Sequence, residues 1–305
     1  PHSANQTLEE RTIPLDFKPI QLERAEFYHQ HLKQTPQVAS DYSFANIWGW
    51  AREYGLEWAF SHDLVWLRQN SPKPVYWAPV GPWDRIDWPG VFHQHDFKPG
   101  FTRVPETLAD LWGRQTGDIL RIEEDRANWD YIYDVEELTT LSGNRFHKKK
   151  NLLNQFKKQN DYRYEPFSAG MIDQALALQD DWCTWRDCKD SDVLSAENRA
   201  IQRVFIAWDR FPELLGGAIM VEGLIVAYTI AEPLDPDTVV IHFEKGCPAH
   251  KGIYQAINQM FLESLDGRFQ YVNREQDLGN EGLRKAKLSY HPVAFNQKYR
   301  ASLFA

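Results

Sequence analysis

The residues of this chain best suited to chemistry are five consecutive polar ones, Asn273-Arg-Glu-Gln-Asp277, in a stretch that begins as a strand at Tyr271 and ends as a helix before Pro292. A buried strand of a mixed sheet reads as an apolar run. Polar and charged groups there are costly unless they line a cleft and find partners. Carboxylates such as Glu275 serve as general bases or hold a substrate ammonium. A guanidinium such as that of Arg274 holds a carboxylate or phosphate, often through two hydrogen bonds at once. Gly279 and Gly282 allow sharp turns. Asn280 suits a helix cap, Glu281 a first turn, and Arg284, Lys285 and Lys287 the rest. His291 and Tyr290, just before Pro292, suit an acid or proton shuttle, or a helix end.

A second polar group, His242-Phe-Glu-Lys245, closes an apolar strand. Strand alternation puts His242 and Glu244 on one side. On the neighbouring strand it puts Asn273 and Glu275 on one side, Arg274 and Gln276 on the other. Two readings stay open: Glu244, Lys245, Arg274 and Glu275 belong to a site, or they form a buried ion network holding two strands.

The elements that must position these groups fall into two lobes. In the first, helices are expected over 18–33, 43–54 and 104–116, with strands near 57–60, 64–68, 75–79 and 118–123 and an extended piece at 131–134. Residues 141–159 carry Arg145, His147, Lys148, Lys149, Lys150, Lys157 and Lys158 without an acid, over an apolar side of Phe146, Leu152, Leu153 and Phe156. That pattern predicts an amphipathic basic helix, either a solvated connector or a patch for a nucleotide, a tRNA end or an anionic headgroup. The second lobe reads as a strand at 162–167 and helices at 171–187 and 196–211. Strands at 215–221, 224–231 and 238–244 follow, with Glu222-Gly223 as a tight hairpin turn. A helix at 252–265, a strand at 269–276 and a last strand at 294–301 complete it. The domains are therefore 1–140, a bridging helix 141–160, and 161–305 with the site.

Composition narrows the function. The chain has 305 residues, 43% hydrophobic and 25% charged, which places it among well-packed globular proteins. A formal net charge of −9 argues against a dedicated nucleic-acid binder while allowing a local basic patch. No run of about eighteen apolar residues is present, so no transmembrane helix is expected. Residues 1–11 are polar and lack a signal-peptide core; a cytoplasmic location is expected. Cys183, Cys188 and Cys247 form neither a metal-ligand pattern nor a disulfide framework and are expected as free thiols. No metal is expected. Of the 12 tryptophans, those before residue 130 are expected mainly in the core.

The second-lobe order matches the layout of the GNAT acyltransferase fold. The strings His242-Phe-Glu-Lys245, Gly252-Ile-Tyr-Gln-Ala-Ile-Asn258, Asn273–Gly279 and Gly282–Pro292 resemble one family in particular, as do Ser43-Phe-Ala-Asn46 and Ser142–Asn151. It is an uncharacterised bacterial family related to the C-terminal catalytic domain of lysyl-phosphatidylglycerol synthases, which move an aminoacyl group from aminoacyl-tRNA onto a membrane lipid. The resemblance implies an α+β fold of two tandem GNAT-like lobes, the first degenerate, each a mixed, mainly antiparallel sheet flanked by helices. It implies an acyl donor lying where strands 238–244 and 269–276 splay apart. The GNAT phosphate loop is matched only at Gly252 within Ala249-His-Lys-Gly-Ile-Tyr254, which weakens ordinary acetyl-CoA use.

Acyl transfer needs a base, donors for an oxyanion and a holder for the acyl carrier. The expected catalytic residues are Glu244 or Glu275 as base or ammonium binder, Arg274, and Asn273 as a carbonyl donor. His242, Lys245, Asp277 and Tyr290 are expected against substrate. Lys251, Gly252, Arg284, Lys287, Arg145, Lys148 and Lys149 are expected toward the anionic donor. No cofactor is expected to be tightly bound. The co-substrate is aminoacyl-tRNA or acyl-CoA and the acceptor a small amine, hydroxyl or peptide. A non-catalytic ligand-binding protein on the same fold is the alternative class.

Overall fold

Two runs of short strands, each backed by apolar helices, give this chain two seven-stranded sheets. The structure, a computed structural model, describes residues 12–186, 188 and 191–304. The first part holds strands β1 (Lys18–Pro19), β2 (Glu57–Ser61), β3 (Leu64–Gln69), β4 (Val75–Trp77), β5 (Phe101–Pro105) and β6 (Leu120–Glu124). Its helices are α1 (Ala25–Leu32), α2 (Phe44–Tyr54), α3 (Trp88–Gln94) and α4 (Glu106–Thr116). β7 (Asp130–Asp134), α5 (Val135–Thr140) and α6 (His147–Gln159) carry the chain across. Then follow β8 (Tyr162–Pro166), α7 (Ile172–Trp185), α8 (Asp192–Ile206), β9 (Leu215–Val221), β10 (Leu224–Pro233), β11 (Thr238–Gly246) and α9 (Ile253–Ser264). β12 (Tyr271–Asn273), α10 (Glu281–Leu288), β13 (Ala294–Asn296) and β14 (Lys298–Leu303) end the chain.

The first sheet runs β1-β2-β3-β4-β5-β14-β6 and the second β13-β7-β12-β11-β10-β9-β8. Among the described residues only β4–β5 and β11–β12 are parallel, so both sheets are mixed and mainly antiparallel, as expected. Each sheet takes a strand from the far side of the chain. β14 inserts between β5 and β6, and β7 lies between β13 and β12. The single strand expected at 294–301 is thus two, one in each sheet. Divisions at 140 and 160 follow the chain, but each would separate a sheet from one of its strands.

Local chemistry explains most boundaries. Ser43 caps α2 and Asn280 caps α10, each accepting a backbone N–H three residues on. Glu222 and Gly223 both have positive φ, which matches the two-residue hairpin turn. The basic helix starts at His147 and not at Leu141, because Leu141 ends α5 with φ 46° and Gly143 follows with φ 83°. The expected helix at 18–33 begins only at Ala25, since Lys18–Pro19 pair with β2.

Trp58, Trp66, Trp83, Trp88 and Trp112 are fully buried in the first core, as expected; truncating one to Ala costs about 3–5 kcal/mol. That core continues through α2, α7 and α8 onto one face of the second sheet, whereas α5, α6 and α9 cover the other face. The thiol expectation fails in part. Cys188 lies 4.9 Å, Cα to Cα, from Cys183 of α7, and the two form a disulfide. Cys247 is free.

Candidate active site

β11 and β12 pair only at Thr238–Tyr271, Val239–Val272 and Val240–Asn273. Beyond those pairs β11 runs on to Gly246 while β12 stops, so the two chains splay. A cleft of about 840 Å³ fills the gap. β12 stops at Asn273 rather than 276 because the Asn273 side chain accepts the Glu275 N–H at 2.8 Å, a local turn that competes with the ladder. Glu275 then adopts φ 56°, a left-handed backbone uncommon for a residue with a Cβ. Strict alternation also fails on β11. Phe243 pairs with Ile230 and Ile241 with Ala231, leaving His242 as a bulge. Consequently Ile241, His242, Glu244 and Lys245 all reach the cleft, together with Arg274, Glu275, Gln276 and Asp277.

Glu275 is held by one oxygen. Its Oε1 accepts from His242 Nδ1 at 2.9 Å and from Asn46 Nδ2 at 2.8 Å. Its Oε2 takes no hydrogen bond among the described residues. Arg274 donates from Nη2 to Glu244 Oε1 at 3.0 Å, while Glu244 Oε2 accepts from Asn258 at 3.2 Å. Arg274 Nη1 is buried and has no hydrogen-bond partner among the described residues, and the Tyr290 ring lies 4.9 Å from the guanidinium. An orphaned charged donor of this kind costs about 1–3 kcal/mol or more until a ligand satisfies it.

Lys287 also faces the cleft and donates to the backbone oxygens of Arg274 and Glu275. Burial, then the neighbouring Arg274, pushes its amine down to about 8. His242 is enclosed between Glu275 and Glu232, whose Oε1 lies 2.8 Å from Nε2. Burial opposes its charge, but the bonds to Glu232 and Glu275 outweigh burial and raise it to about 9. Lys245 donates to Glu197 at 2.7 Å and sits 3.8 Å over the Trp182 ring. Asp277 is saturated, accepting from Tyr131 at 2.6 Å, from Arg126 at 3.2 Å and doubly from Arg284.

Other expected residues stand elsewhere. Asn273 is fully buried and points away from the cleft, donating to Asp130 at 3.0 Å. Arg284 is occupied by Asp277. Gly252 has φ 85°, and a Cβ there would lie 2.1 Å from the Leu152 carbonyl, so it serves close packing of α9 on α6 and does not line the cleft. Lys251 is exposed beside it. Arg145 pairs with Glu137 and Lys148 is exposed. Lys149 sits 4.0 Å over the Tyr290 ring, which links the start of α6 to the cleft wall.

Sequence reasoning missed a second, closed cluster. Lys298 on β14 is fully buried and donates to Asp41 and, at 2.7 Å, to Asp130. Asp41 also pairs with Arg103, and Asp130 accepts from Ser40 and Asn273. The signals were present: a lone Lys in the last strand and a lone acid heading Asp130-Tyr-Ile-Tyr. Glu232, near the end of the apolar β10, and Asn46, within the string Ser43–Asn46, were likewise passed over. The first half also supplies an aromatic wall of Trp50, Tyr54 and Trp77. Among the described residues no group of three His, Cys, Asp or Glu is placed to hold a metal, and no helix is long and apolar enough to cross a membrane.

Comparison with known proteins agrees with this architecture. A conserved protein of unknown function from Bacteroides thetaiotaomicron superposes with TM-score 0.84 at 30% identity, over 95% of this chain and 100% of that one. L-PGS from Bacillus licheniformis superposes with TM-score 0.64 at 16% identity, over 96% of this chain and 94% of that one. An uncharacterised protein of Mycoplasmoides gallisepticum is 24% identical over 262 residues, 81% of each chain. The fold is α+β, two mixed seven-stranded sheets flanked by helices, as expected. The profile of the family described as phosphatidylglycerol lysyltransferase, C-terminal, matches residues 32–302, and the chain belongs to that family.

Proposed function

We propose that this protein is an acyltransferase that moves an aminoacyl group from aminoacyl-tRNA to a small amine, hydroxyl or peptide acceptor. Family and fold support acyl transfer. The observation that carries the finer reading is one cleft lined by both Arg274, whose buried Nη1 has no hydrogen-bond partner among the described residues, and Glu275, whose Oε2 is free. Once a small movement of the Arg274 side chain uncovers it, Nη1 suits the oxygen of an ester carbonyl, whose negative charge grows as the carbon is attacked. Donors so placed are worth about 10²–10³ in rate. Glu275 Oε2 suits the acceptor's amine or hydroxyl.

In the reaction the acceptor nitrogen or oxygen bonds to the ester carbon and its proton passes to Glu275 Oε2. The bond from that carbon to the tRNA ribose oxygen then breaks. The ribose oxygen takes the proton, leaving a free hydroxyl and a new amide or ester. A positioned carboxylate base contributes about 10²–10⁴. Lys287, charged below about pH 8, adds positive potential beside the ester. Glu244 holds Arg274 in place. Lys148, Lys149 and the other cations of α6, on the Tyr290 side, steer the anionic donor. Gly252, packed against Leu152, offers little room for a CoA pyrophosphate.

The test is the melting temperature of the pure protein with charged tRNA, uncharged tRNA, acetyl-CoA and longer acyl-CoAs, at low and moderate salt. Charged tRNA at a hundred times its Kd raises native stability by about 2.7 kcal/mol, and the rise fades with salt. A shift with CoA species alone, or none with any donor, overturns the reading.

A further inference from the structure

Three side chains from separate elements form a line that ends at the cleft. Glu232 comes from β10, His242 from the bulge on β11, and Glu275 from the turn after β12. His242 Nε2 is 2.8 Å from Glu232 Oε1 and Nδ1 is 2.9 Å from Glu275 Oε1. The imidazole side chain is 1% exposed and that of Glu232 7%. Glu232 does not line the cleft.

Ionised carboxylates only accept hydrogen bonds. Both ring nitrogens therefore carry hydrogen and the ring is a cation. A neutral ring would leave one lone pair facing a carboxylate oxygen at under 3 Å. The remaining groups around the ring fit this state. The Ser43 hydroxyl, at the head of α2, lies 3.4 Å from Nε2, and Asn46 of α2 holds the same Glu275 oxygen as His242. His29 and Tyr28 of α1 lie within electrostatic range of Glu232. With Oε1 gripped from two sides the plane of the Glu275 carboxylate is fixed, although its backbone is left-handed.

We propose that Glu232 is a positioning residue: acting through the His242 imidazolium, it fixes Glu275 with Oε1 engaged and Oε2 presented to the cleft. The proposal rests on the transfer reading above for its functional consequence. Its physical basis, a doubly protonated His242, is independent of any substrate. Loss of the Glu232 charge removes the larger of the two carboxylate contributions that keep the ring protonated. Once neutral, the ring turns a lone pair on Glu275, and the carboxylate loses its fixed plane.

The experiment combines nitrogen NMR of histidine-labelled protein with transfer kinetics. In the wild type both His242 nitrogens carry hydrogen at pH 8, where an ordinary histidine, with a pKa near 6.5, is mostly neutral. Glu232→Gln lowers the His242 midpoint by at least about one pH unit. It lowers kcat roughly tenfold or more, leaves KM for the charged tRNA unchanged, and moves the alkaline limb of the kcat profile down by the same interval. Glu232→Asp, which keeps the charge, recovers part of kcat. If Glu232→Gln does not fold, Glu232→Asp serves, because its shorter reach to Nε2 lowers the His242 midpoint and kcat together and by smaller amounts. A neutral His242 at pH 7.5 in the wild type overturns the proposal, as does a Glu232→Gln protein that titrates and transfers like the wild type. Wild-type protein that discharges no aminoacyl-tRNA overturns the transfer reading instead. The two failures are told apart because the ring nitrogens are read without substrate.

Discussion

Two polar clusters meet at adjacent residues, and they are built differently. Asn273 belongs to the closed one: Lys298, Asp41, Asp130 and Ser40 are buried and satisfy one another, Arg103 closes the set at the edge of the cleft, and Lys298 joins the first sheet to Asp130 of the second. Arg274 and Glu275 belong to the open one, where a guanidinium nitrogen and a carboxylate oxygen lack partners beside a cleft. A buried ion set stabilises only when its geometry and hydrogen bonds are complete. The closed cluster meets that condition and acts as architecture. The open cluster does not, and its deficit is what a substrate supplies.

Breaking the closed cluster gives the largest expected effect. Lys298→Met leaves Asp41 and Asp130 buried without their shared cation and costs roughly 3–5 kcal/mol, read by denaturant unfolding. A loss under about 1 kcal/mol erases the distinction between the clusters. Next comes Arg274→Ala. Glu244 keeps Asn258 and the cleft admits water, so stability falls by only about 1–2 kcal/mol, while transfer falls about 10²–10³ in steady-state assays. An equal loss in both measurements places Arg274 with the closed cluster.

The third test is pH. The folded-state pKa of His242 is raised to about 9, so the stability it confers is complete below about 6.5 and is lost as pH rises through 9. The loss is up to about 3 kcal/mol. Lys287 works the other way: held down to about 8, it binds fewer protons folded than unfolded between there and its ordinary value, so its contribution rises with pH. The difference between wild type and Glu232→Gln isolates His242, and parallel pH–stability curves rule out the buried imidazolium. The smallest effect is at the surface. Lys148→Ala weakens charged-tRNA binding a few-fold and lowers the salt slope by about one.

Much of the fold was legible because it depends on local pattern. The charged run Asn273–Asp277 marked the splayed strands, and Ser43 and Asn280 marked their helices. What was not legible depends on register and long-range pairing. The bulge at His242 broke the alternation expected on β11. The Asn273 turn shortened β12 and carried its own side chain away from the cleft. Asp277 and Arg284 look like site residues in sequence, yet in the fold they satisfy each other. Lys298 and Asp130 are 168 residues apart, and nothing local to either betrays the other. Glu232 and Asn46 acquire meaning only once Glu275 lies between their strands and helices.

The most direct measurement is single-turnover transfer from labelled aminoacyl-tRNA by wild-type protein and by Glu275→Gln, with melting temperatures recorded alongside. We predict that the wild type moves the label into an acceptor product. Glu275→Gln, still folded but destabilised by the roughly 1–2 kcal/mol that the weakened His242 charge costs, should do so at least about a hundredfold more slowly. Transfer by the variant at the wild-type rate would contradict the assignment of the open carboxylate to the chemistry.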